Sequence, residues 1–69
     1  MIYRIYFANQ LRCLRNDRNL TQQQLADALN WHQTTINHYE VGNRFPVIDN
    51  LVILADFFDC SIDSLIGRG

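Results

Sequence analysis

The sequence predicts an all-α bundle of five helices, and three observations carry that prediction. Helix breakers are scarce: glycine occurs only at 42, 67 and 69, and proline only at 46. Apolar residues recur at three- and four-residue spacing through most of the chain. Capping residues stand ahead of two apolar runs, Thr21 with Gln24 three residues on, and Ser61. The 69 residues suffice for a single domain, 1–69, with a core over about 7–67 and an N-terminal extension at 1–6. A domain this short buries only ~60% of the surface its unfolded chain exposes, so its core is small.

The elements follow in order. Phe7, Leu11 and Leu14 give a first helix over about Phe7–Asp17. Residues 1–6 are rich in strand formers and read equally as a strand or as more of that helix. The second helix starts at the Thr21–Gln24 capping box and buries Leu25, Ala26 and Leu29. Asn30 stands where the chain must turn sharply, and Asn tolerates the left-handed backbone. A third helix spans about Gln33–Glu40, with Trp31 and Ile36 spaced as a hydrophobic staple and His32 in the cap position. Gly42 ends it. Asn43–Pro46 is a loop. A fourth helix, about Val47–Phe58, carries Ile48, Leu51, Val52, Leu54 and Ala55. A short fifth, capped by Ser61, presents Ile62, Leu65 and Ile66.

The formal charge is −1, and it is unevenly placed. All six cations are arginine. Arg4, Arg12, Arg15 and Arg18 lie early, while Asp49, Asp56, Asp59 and Asp63 lie late. Cys13 and Cys60 do not make a disulfide framework, and a reducing compartment is expected. Cys60 reads as a core residue and Cys13 as exposed. The apolar opening is too short and polar for a signal peptide or a membrane span. His32 and His38 do not share a helical face, and nothing completes a metal set. Cys13, Ser61 and Ser64 have no base at motif spacing, so catalysis and cofactors are not expected.

Residues 21–40 therefore form a capped helix, a tight turn and a second helix. The third helix keeps Gln33, Thr34, Asn37 and His38 outward, a hydrogen-bonding face without an aliphatic side chain. Ala26 is small where the two helices cross. This segment resembles the helix-turn-helix of the Cro/CI-type phage repressors, the XRE family. The resemblance extends through Phe7-x-x-x-Leu11-x-x-Leu14-Arg15, Leu20-Thr21-Gln22-x-x-Leu25-Ala26 and Ile36-x-x-Tyr39-Glu40-x-Gly42-x-Arg44-x-Pro46, then the two closing helices. It implies the lambda-repressor-like fold of five helices.

The resemblance also implies roles. Gln22 would donate to a DNA phosphate at a helix N-terminus. Gln33, Thr34 and His38, with Thr35 and Asn37, would reach base edges and nearby phosphates, Gln33 preferring adenine. His32 stands where the family often has a phosphate-contacting Ser or Thr. Asn43 and Arg44 would touch the backbone from the loop. Arg15 and Glu40 would form a buried structural ion pair. Val41 and Val47 replace polar residues that the family often carries.

The implied function is sequence-specific binding of double-stranded DNA and transcriptional regulation in a bacterial or phage-infected cytoplasm. A dimeric repressor on a pseudo-palindromic operator is the leading form. Phe58, Ile62 and Ile66 of the C-terminal helices would carry the dimer. An antitoxin with a toxin partner, or a protein-interaction module on the same fold, are the alternatives. Neutralising four to six phosphates per dimer would give a salt slope of about −4 to −5.

Overall fold

The computed structural model describes residues 2–68. Five helices occupy them: α1 Ile2–Asp17, α2 Gln22–Leu29, α3 Gln33–Val41, α4 Ile48–Phe58 and α5 Ile62–Ile66. Among the described residues there is no strand. The ambiguous opening is therefore helix from Ile2 onward, which rules out the strand reading over the described residues. A strand there would have needed a partner edge, whereas an extended α1 places Tyr6 against the far end of the chain. A Cβ built on Gly67 would lie 2.6 Å from the Tyr6 ring, and Gly67 has a φ of +79°. Both the space and the backbone require glycine. Gly67→Ala is expected to lower stability by about 1–3 kcal/mol, read as a reduced urea midpoint at unchanged slope.

Caps set the boundaries. The Thr21 side chain accepts from the Gln24 backbone while the Gln24 side chain accepts from the Thr21 backbone, the reciprocal box expected from the sequence. Asn30 closes α2 at φ 59°, ψ 40°. α3 runs one residue further than expected, to Val41, before Gly42 turns left-handed at φ 82°. Ser61 caps α5 by accepting from the Ser64 amide. His32 and Val47 occupy cap positions without a side-chain cap bond.

The core consists of Phe7, Leu11, Leu25, Ala26, Ile36, Tyr39, Leu51, Leu54, Ala55, Phe58 and Leu65. Aromatic rings meet edge to face within it. Phe7 lies 5.8 Å from Tyr39 and 5.5 Å from Phe45. Trp31 meets Tyr39 at 6.2 Å and packs on the cluster that contains Ile36, in keeping with the staple. α1 packs on both α3 and α5, α2 packs on α3, and α4 packs on α5.

Two sequence expectations change. Phe58, assigned to a dimer interface, is 5% exposed and belongs to the core. Its ring is engaged by Phe57 at 5.0 Å and by the Arg18 guanidinium at 5.2 Å. Conversely, Ile48 and Val52, named with Leu51, Leu54 and Ala55 as the apolar set of α4, are 62% and 42% exposed, and Ile53 is exposed beside them. α4 is apolar on nearly every side, so periodicity could not tell which stripe faces in.

Cys13 is exposed and Cys60 is half-buried, packed against the core. Burial pushes the Cys60 thiol up, and the nearby Asp59 charge adds to this while Arg18 opposes it. A thiol reagent at neutral pH is expected to modify Cys13 well before Cys60, as followed by mass spectrometry. No helix among the described residues is long and apolar enough to cross a membrane.

Candidate nucleic-acid interface

α2 and α3 hold the expected contact residues on a shared scaffold. Ala26 is fully buried where the two helices meet, and Leu25 and Ile36 are fully buried beside it. α3 is anchored from behind by the Arg15–Glu40 pair. The Arg15 Nε donates to Glu40 Oε2 at 2.6 Å and Nη2 donates to Oε1 at 2.9 Å. Nη1 donates to the Leu20 carbonyl at 2.8 Å. The Glu40 side chain is 2% exposed and that of Arg15 13%. The hydrogen bond to Glu40 raises Arg15 above its ordinary value; burial opposes this and the Glu40 charge adds to it. This is the geometry of a bidentate, charge-assisted pair.

Gln22, Gln33 and Asn37 come together in front of that pair. Gln22 Nε2 donates to Glu40 Oε1 at 3.1 Å and lies 3.4 Å from Asn37 Oδ1. Gln22 Oε1 accepts from Gln33 Nε2. The Gln22 side chain is thus turned inward, while its backbone N–H, in the first turn of α2, lacks an intrahelical partner. A second small group joins helix to loop: His38 Nδ1 and Asn43 Oδ1 lie 2.9 Å apart. Since that oxygen can only accept, His38 Nδ1 carries the hydrogen and Nε2 is left for another partner.

The remaining candidates are placed but not joined. Thr34, His32 and Arg44 are exposed, and Thr35 is half-buried. Arg12 and Arg18, like Arg15, are committed internally. Arg12 donates to the Glu40 carbonyl at 3.2 Å and to Asn9 at 2.6 Å. Arg18 donates to the Phe57 carbonyl at 3.0 Å and covers both the Phe57 and Phe58 rings. Among the described residues, Arg44 and Arg68 are exposed and make no side-chain hydrogen bond, and Arg4 is half-buried with its Nε buried and unpartnered. The role of Arg12 in holding the end of α3 was not read from the sequence, because its partner is a backbone carbonyl that no residue pattern marks.

The arrangement defines a DNA-binding helix-turn-helix domain of the lambda-repressor-like fold. A family model described as helix-turn-helix matches residues 11–65. The CTXphi transcriptional repressor RstR of Vibrio cholerae is 41% identical over 88% of this chain and 51% of its own length. The control protein C.SmaI of Serratia marcescens is 36% identical over 88% of this chain and 73% of its own. A solved transcriptional regulator from Listeria innocua superposes with a TM-score of 0.81 at 38% identity, over 88% of this chain and 57% of that one. The chain belongs to the helix-turn-helix family of XRE-type transcriptional regulators. It spans about half the length of several of the curated relatives it matches.

Proposed function

We propose that this domain binds double-stranded DNA sequence-specifically and regulates transcription as a dimer, by occupying a pseudo-palindromic site at a promoter. The observation that carries this reading is the outer face of α3. Gln33, Thr34, Asn37 and His38 project hydrogen-bonding groups from a helix fixed on its inner side by Ile36, Tyr39 and Glu40. In the proposed complex Gln33, Thr34 and His38 meet base edges, with Thr35 and Asn37 beside them. His32, Asn43 and Arg44 meet phosphates. The free backbone N–H groups opening α2 hold another phosphate, which gives Gln22 its contact through the main chain.

A second copy would place the two α3 helices one turn apart, roughly 34 Å. With Phe58 inside the core, one apolar surface available for that contact is on α4 and its cap, where Val47, Ile48, Val52 and Ile53 are exposed. The half-buried Ile62 and Ile66 of α5 remain candidates for it.

Selection of bound sites from random duplex DNA tests the proposal. Recovery of a two-fold symmetric site supports it, and enrichment of nothing over the starting pool at low salt rejects it. The commitment of Arg12, Arg15 and Arg18 to internal partners revises the salt dependence. With Arg44 as the main free cation near α3, two to four phosphates per dimer are neutralised, and log K against log salt should fall with a slope of about −2 to −4. A titration from low to moderate salt measures it, and a slope near −10 would require cations that this fold does not present.

A further inference from the structure

We infer that Glu40 determines which base Gln33 reads. By fixing the direction of the Gln22 amide, it leaves Gln33 with one outward donor and one outward acceptor, the pattern that takes adenine and rejects guanine. The inference rests on the DNA-reading role of α3 proposed above.

Bound bidentately by Arg15, Glu40 is a carboxylate and can only accept hydrogen bonds. The group of Gln22 that faces it must therefore be the Nε2 amide, as observed at 3.1 Å. Asn37 Oδ1, 3.4 Å from the same nitrogen, asks for the same orientation. Gln22 Oε1 is then directed at Gln33, and an oxygen there demands a donor, so Gln33 turns its Nε2 inward. One Nε2 hydrogen and the Oε1 of Gln33 remain for the groove. Adenine offers the complementary pair, an N7 acceptor and an N6 donor.

Reversing the Gln22 amide would set two acceptors against each other at Glu40. It would also make Gln33 turn its oxygen inward and present both amide hydrogens, a donor pair that matches N7 and O6 of guanine. The charge of Glu40 thus selects between two readings of one glutamine. Glu40 is a positioning residue here: it lies behind the interface and acts through Gln22.

The test compares wild type, Gln33→Ala, Gln22→Lys and Gln22→Met by site selection. Competition between operators that differ only at the base affected by Gln33→Ala follows. Wild type is expected to favour adenine over guanine there by about tenfold. The ammonium of Gln22→Lys is donor-only and pairs with Glu40. It requires the Gln33 oxygen to turn inward, and the preference should move to guanine. Any uniform gain from the added charge cancels in the ratio.

Gln22→Met removes both partners and should level the two bases; it carries the test if circular dichroism shows that Gln22→Lys does not fold. A wild-type preference for guanine at this position overturns the inference. So does an adenine preference that persists in Gln22→Lys or, where that variant does not fold, in Gln22→Met. Those results leave the DNA-reading proposal standing, whereas failure of wild type to select any site removes both.

Discussion

Glu40→Ala is expected to destabilise the domain by ~3–5 kcal/mol, because it strands the Arg15 charge in a site that is only 13% exposed. Total stability for domains is about 5–15 kcal/mol, and one this small should lie near the bottom of that range. Each kcal/mol corresponds to about 4–8 °C in melting temperature at this size. A thermal melt followed by circular dichroism should therefore show the variant substantially unfolded near room temperature. The paired replacement Arg15→Met with Glu40→Leu removes both charges and should recover most of the loss, since no unpaired ion remains. A drop of only a few degrees in Glu40→Ala would mean that the Leu20 carbonyl and solvent suffice for Arg15.

Gln33→Ala is expected to separate specific from non-specific binding. The side chain is half-buried against Gln22 and contributes nothing to the core, so the fold should persist. A good bidentate base contact is worth ~1–3 kcal/mol, and a symmetric dimer loses two of them. Specific affinity should fall by roughly 30-fold or more, while affinity for random duplex stays nearly level, since no phosphate contact is removed. Fluorescence anisotropy on both DNAs gives the ratio. Equal loss on the two would take Gln33 out of the reading set.

The scaffold was legible because its signals are local. The Thr21 box, the Asn30 turn, the Ser61 cap and the Gly42 stop each depend on residues within a few positions, and each stands where the sequence placed it. Asn19 and Asp59 also adopt positive φ, at 57° and 54°, and went unread. Neither residue type is specific to that conformation, and no proline or glycine marked those turns. Sidedness failed where apolar residues surround a helix. Phe58 is buried and Ile48 exposed because only the packing of α4 on α5 decides between them.

At the interface, residue identities could be read but connections could not. Gln22, Gln33 and Asn37 were each named for contact with DNA, yet their bonds to one another span 11 and 15 positions and depend on how α2 crosses α3. The inward turn of the Gln22 side chain follows from Glu40, whose place behind it no spacing rule supplies.

α1 touches α3 through Phe7 and Arg15, and Gly67 through Tyr6, and Arg18, just past its last residue, reaches the end of α4. Neither the reading helices nor the closing helices enclose a core without it. Partial opening that frees one group and spares the other is therefore disfavoured, and unfolding should be all-or-none. Amide hydrogens in α1 and α3 should exchange together, at the rate of global unfolding. Promoter occupancy would then fall in step with the folded fraction as temperature rises, and operator DNA, by binding only the folded form, would extend that range in proportion to its concentration.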